Sequence, residues 1–174
     1  PTSQTLANVK STGCGVFHIV DNVELLARAA VGQLDPLPHL TALPGPIKRQ
    51  KLTDCCRWFA FVVDSLDETG PRAVLSCSVV ERGECRPFLG FNRAKHAVVE
   101  AAILATRIGI LPSEAIRSEL ARLEIPVEKT AGAEERRAFD ICGFRLRRCF
   151  VYGPEDCPKA TSWPSTPISK PRTS

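Results

Sequence analysis

Asn92, Arg93, Lys95 and His96 fall within five residues at the head of a long amphipathic stretch. A helix start carries unpaired backbone N–H groups and the positive end of the helix dipole. Two cations, an imidazole and an amide placed there can hold an anion. A solvated helix face with an ordinary asparagine cap accounts for the same residues. Thr2, Ser3, Thr5 and Asn8 form a second place of this kind, at the head of a short helical pattern from Thr2 to Val9. Three hydroxyls at a dipole end suit a phosphate, and they equally suit a plain N-cap. Glu100 follows His96 by four residues, so the two can pair on one helix face. No residue declares itself as a general acid, a base or a nucleophile.

The first cluster needs a helix to hold it, and the pattern supplies one. At about 100° per residue, Ala94, Ala97, Val98, Ala101, Ala102, Leu104, Ala105 and Ile108 share one arc. Most of them are alanine, which lets a helix approach its neighbours closely. Asn92, Arg93, His96, Glu100 and Arg107 share the opposite arc with Ile103, and Lys95 lies at its margin beside Val99.

The bulk properties narrow the function. The chain has 174 residues, 44% of them hydrophobic, and a net charge of +4. That suits one domain, or one with an appendage, and a real core. The charge is too mild and too mixed for a nucleic-acid surface. No apolar run is long enough to span a membrane. The eight cysteines show no Cys-x-x-Cys and no zinc spacing with histidine, so no structural metal is expected. They read as reduced thiols of a cytoplasmic protein, with a secreted disulfide framework as the rival.

Along the chain, Val16 to Val20 reads as a strand. Asp21 and Glu24 fit a capping box opening a helix from Val23 to Ala30, closed by Gly32. Residues 33–50 read as a proline-rich loop. Cys56 to Leu66 and Arg72 to Glu81 alternate as the two arms of a hairpin about Asp67-Glu68-Thr69-Gly70. Cys85 to Phe88 is expected as a short strand. Pro112-Ser113 opens a helix with the stripe Ile116, Leu120, Leu123. A last helix is expected from Ala133 to Ile141, after which the pattern decays. Trp58 and His18 are expected in the core and His39 in solvent. The fold class is α+β, with an antiparallel β part followed by a helical part.

The stretch Gly90-Phe91-Asn92-Arg93-Ala94-Lys95-His96 through Arg107, together with Asp54-Cys55-Cys56-Arg57-Trp58 and Thr2 to Asn8, resembles an uncharacterised family of FMN-binding split-barrel flavoproteins. That family is distantly similar to flavin reductases and pyridoxamine-phosphate oxidases and carries a helical C-terminal extension. The resemblance runs from Pro1 to Phe139. It implies a split-barrel flavin domain over 1–90, lacking its first strands, and a helical subdomain over 91–142; the stretch 143–174 has no counterpart in the family and, by its Pro, Ser and Thr content, is expected as a disordered tail. It implies FMN as cofactor, a homodimer with flavin between subunits, and an unknown small-molecule substrate for an oxidoreductase. Non-catalytic flavin binding, or a structural role without cofactor, are the rivals. Carried over by position, Thr2, Ser3, Thr5 and Asn8 match the phosphate-gripping helix start. Asn92, Arg93, Lys95 and His96 match the family's long helix, where they touch flavin, bind an anionic substrate or hold the domain junction.

Overall fold

The computed structural model describes residues 4–43 and 49–152. Helix α1 (Gln4–Thr12) leads into strand β1 (Cys14–Ile19), and helix α2 (Val23–Val31) follows. Strands β2 (Leu40–Ala42) and β3 (Gln50–Leu52) precede β4 (Arg57–Asp67) and β5 (Val74–Glu84). Helices α3 (Arg93–Thr106), α4 (Ser113–Thr130) and α5 (Ala133–Tyr152) complete the order. The architecture is α+β, with antiparallel sheets on one side and a helical layer on the other.

The long hairpin forms because β4 and β5 alternate β-branched and aromatic residues across a short polar turn. β4 is the central strand, paired antiparallel with β1 and with β5 in the order β1-β4-β5. The register shifts between Ala60 and Phe61 and again between Val63 and Ser65, which bends the ribbon. Trp58 lies opposite Gly83, where a Cβ would come within 2.7 Å of the indole. Leu43, Cys55, Trp58 and Ala60 make the small core under this sheet. Trp58 is therefore a core residue, as its alternating strand position suggests. His18 is half-buried and its Nε2 accepts a hydrogen bond from Leu52 N at 3.1 Å. Burial and the nearby Lys51 both lower its pKa, which keeps it neutral for that bond. His39 is exposed.

The larger core lies between helices. Every alanine of the α3 stripe is buried, from Ala94 at 0% exposure to Ala102 at 5%. α3 packs on α2, α4 and α5 at once, which only small side chains permit. α2 thus packs within the helical layer, although it precedes the hairpin in the chain.

Three further expectations change. Cys85 to Phe88 is not a strand; the chain bends there. The proline-rich stretch 33–50 is not all loop: it holds β2 and runs into the first residue of β3, the two strands of the smaller sheet. The pattern does not decay at Gly143, because α5 runs to Tyr152. Ala138, Phe139, Cys142, Leu146 and Cys149 are all buried and form one helical stripe. Two cysteines within that stripe, flanked by Arg145, Arg147 and Arg148, hide it from a hydropathy reading. The rest of the expected tail, 153–174, lies outside the described residues. Cys14, Cys55, Cys56, Cys77, Cys85 and Cys142 are free thiols. Cys149 is disulfide-bonded, so the reduced-thiol reading does not hold for it.

Leu146 has no exposed surface. Leu146→Ala is expected to cost about 2–4 kcal/mol in urea unfolding, the range for a cavity left in a packed core. An effect below about 0.5 kcal/mol, as on a solvated surface, would put the second half of α5 outside the fold.

Candidate functional site

The helical layer is joined to the sheet by one buried aspartate. Asp21 ends the segment after β1 and is 4% exposed. Arg86, on the segment leaving β5, donates from Nη2 to Asp21 Oδ1 and from Nε to Asp54 Oδ1 at 2.8 Å. Leu89 N donates to Asp21 Oδ2 at 3.2 Å. Asn22 donates from Nδ2 to Asp54 at 3.4 Å. These bonds hold the Asp21 carboxyl far below the usual carboxylate range, the Arg86 bond contributing most. Asp54 is lowered by the same arginine.

Lys95 belongs to this junction and not to an open anion site. Its Nζ donates to the Asp21 carbonyl oxygen at 2.6 Å and lies 3.4 Å from Glu135 and 3.9 Å from Glu134. With 14% of its side chain exposed, its charge is directed into this junction. Its margin position on the helical wheel turns it toward α2 and α5.

The rest of the cluster is open. Asn92 caps α3, its Oδ1 accepting from Lys95 N at 3.0 Å. Arg93 and His96 are exposed. The first-turn N–H groups of Arg93 and Ala94 have no partner within the helix. Phe91, Asn92, Arg93, His96, Ala97, Glu100, Leu123 and Pro126 line a cleft of about 450 Å³ between α3 and α4. Phe91 is 98% exposed, and its ring stacks on His96 at 6.1 Å with 25° between planes. His96 and Glu100 share the wall without forming an ion pair. The cleft therefore combines apolar and aromatic walls with one cation, one imidazole, one carboxylate and a helix start.

Thr2 and Ser3 lie outside the described residues. Thr5 and Asn8 are exposed on α1. Asn8 Oδ1 accepts from Gln4 Nε2 at 2.8 Å. α1 rests on β1, and Lys10 reaches Glu68 in the β4–β5 turn at 2.7 Å. No hydrogen bond or ion pair among the described residues joins Thr5 or Asn8 to Asn92, Arg93 or His96.

Sequence reasoning missed Asp21, Arg86 and Phe91. Asp21 is not the helix cap; Asn22 is, its Oδ1 accepting from Leu25 N at 2.8 Å. Two adjacent capping residues where one suffices were the available signal, since the spare carboxylate is free to turn inward. Among the described residues no group of three or more His, Cys, Asp or Glu side chains is placed to hold a metal. No described helix is long and apolar enough to cross a membrane.

Residues 1–86 match the N-terminal domain, and residues 92–142 the second part, of a family described as Protein of unknown function (DUF447). The boundary between the two matches falls in the segment that carries Leu89 and Phe91. Among solved structures, an FMN-bound protein of that family from Methanosarcina mazei has a similar fold, with a TM-score of 0.71 and 23% identity. The likeness covers 82% of this chain and 76% of that one. No curated protein matches this chain.

Asp21 has a lowered folded pKa, so its contribution to stability is present above the ordinary value of 3.8 and is lost as pH falls through the folded value. Asp21→Asn is expected to cost about 2–3 kcal/mol at pH 7 and to flatten the loss of stability below pH 4, as read by urea titrations across pH. An unchanged acid slope would place the coupling of sheet and helices elsewhere.

Proposed function

Starting from a chain that belongs to the DUF447 family through both its parts, we propose that it binds FMN, with the α3–α4 cleft as the principal contact. The observation that carries this is the cleft's composition on a fold shared with an FMN-bound family protein. FMN needs two unlike surroundings, a flat apolar one for its ring and donors with positive charge for its phosphate. Phe91, Ala97, Leu123 and Pro126 offer the first. Arg93 and the α3 N-terminus offer the second. The size suits one ligand, since pockets for cofactors run from about 300 to 1,000 Å³. Asn92 and His96 orient the ligand at the mouth. Lys95 keeps the helix start aimed and gives no direct contact. Thr2, Ser3, Thr5 and Asn8 are proposed as further phosphate contacts, brought to the flavin by a split-barrel arrangement and a second copy.

Bound flavin supplies the redox step itself, and the protein's part is to hold and orient it. An oxidoreductase acting on an unknown small molecule follows as the reading for a catalytic form. A non-catalytic flavin carrier is the alternative. Bleaching of the bound flavin by NADH or NADPH separates the two.

A homodimer is proposed on the state of β5. Its outer edge pairs with no described strand, and Val74, Val79 and Val80 are exposed at 60%, 56% and 47%. An apolar edge this long invites pairing in solution. A twofold partner of the same chain covers it with the least new surface.

FMN titration by fluorescence quenching is expected to show saturable binding. Arg93→Ala should weaken it by about 1.5–3 kcal/mol, the range for a charge-assisted bond. Arg117→Ala should leave it unchanged, because that side chain stacks on Phe150 at 4.7 Å instead of facing the cleft. Full-strength binding by Arg93→Ala would move the phosphate to Thr5 and Asn8. Sedimentation of the FMN-saturated protein at micromolar concentration should give a dimer, and a monomer would remove the role assigned to β5.

A further inference from the structure

Away from the cleft, at the base of the long hairpin, two cysteines and a lysine meet. The last pair of the β4–β5 ladder is Arg57 with Glu84. One residue farther on, Cys85 N donates to the Cys56 carbonyl at 2.9 Å and clamps the two chains together. The thiol of Cys55 points across this clamp to Cys85, with the sulfurs 3.8 Å apart. Lys51, on β3, donates from Nζ to Cys85 Sγ at 3.2 Å. Cys85 is exposed and Cys55 has no exposed surface.

We propose that Cys85 and Cys55 are a thiol–disulfide exchange pair, with Cys85 as the attacking thiol and Cys55 as the resolving one, oxidised by low-molecular-weight disulfides. A thiolate is the nucleophile, and an adjacent ammonium favours it. Cys85 has that ammonium and has access to solvent. Cys55 lacks that access, and burial outweighs the nearby Lys51 charge and pushes its thiol up to about 11. Cys56 faces away into the junction, where burial and the Asp21 carboxylate keep it a thiol.

The chemistry balances in two exchanges. Cys85 sulfur attacks one sulfur of the small disulfide, whose S–S bond breaks. One thiol leaves and a mixed disulfide remains on Cys85. Cys55, giving its proton to solvent, then attacks Cys85 Sγ and expels the second thiol. Two cysteine thiols are oxidised by two electrons, and one disulfide is reduced to two thiols. The sulfurs need to close from 3.8 Å to about 2 Å, between segments already held by the Cys85–Cys56 bond. The product staples the open end of the hairpin, next to Arg86 of the junction.

The test uses the full chain and oxidised glutathione. Peptide mapping of the treated wild type is expected to show a Cys55–Cys85 link, with Cys77 carrying glutathione as an exposed thiol that lacks a resolving neighbour. Linking should raise the melting temperature by about 5–15 °C, the size expected for closing a loop of this length. In the untreated protein, iodoacetamide should modify Cys85 at least about fivefold faster than Cys77, and Lys51→Gln should remove most of that difference. Cys55→Ser should leave glutathione trapped on Cys85. The pair is overturned if wild-type Cys85 keeps glutathione as Cys77 does, or if Cys85 reacts no faster than Cys77.

Discussion

The carboxylate of Asp21 is the constraint on which the rest depends. A buried charge is tolerated only when it is paired and hydrogen-bonded. Arg86 and Leu89 N meet the side chain, while Lys95 takes the backbone carbonyl. These partners come from the end of the hairpin, from the segment after it and from α3. One residue therefore sets the sheet, the linker and the long helix in a single arrangement. The helix start that lines the cleft is aimed by this arrangement, and Lys95 directs its charge into it.

Division of labour within the Asn92–His96 cluster follows from the wheel. Lys95 lies one step round from Arg93 and His96, and that step is the difference between a half-buried junction and an open cleft. Arg93 remains the exposed cation at the mouth. Phe91, just before the cap, adds the aromatic surface that a charged cluster alone lacks. Its exposure is unusual for a ring of that size and is consistent with a face that is covered only when a ligand or a partner is present.

Much of the fold was legible in the residues. The alanine arc of α3 announced a helix closely packed along one face, and the hairpin was announced by alternation about a polar turn. The second half of α5 was not, because cysteines stand at two of its core positions and arginines crowd the gaps. The short strand expected at Cys85 to Phe88 fails because Arg86 turns inward to Asp21 and draws the backbone out of the ladder. The cleft was half legible. Asn92, Arg93 and His96 could be read from type and spacing, yet Leu123 and Pro126 line it only through the packing of α4 on α3. A long-range ion pair such as Asp21 with Arg86, sixty-five residues apart, leaves no periodic trace in a sequence.

The central claim is that FMN occupies the α3–α4 cleft. Amide chemical-shift mapping during FMN titration tests it most directly. The account predicts saturable shifts concentrated at Phe91, Arg93, His96 and Leu123, with smaller ones at Thr5 and Asn8. Saturable shifts that leave α3 and α4 untouched, or no saturable shifts at all, would contradict it.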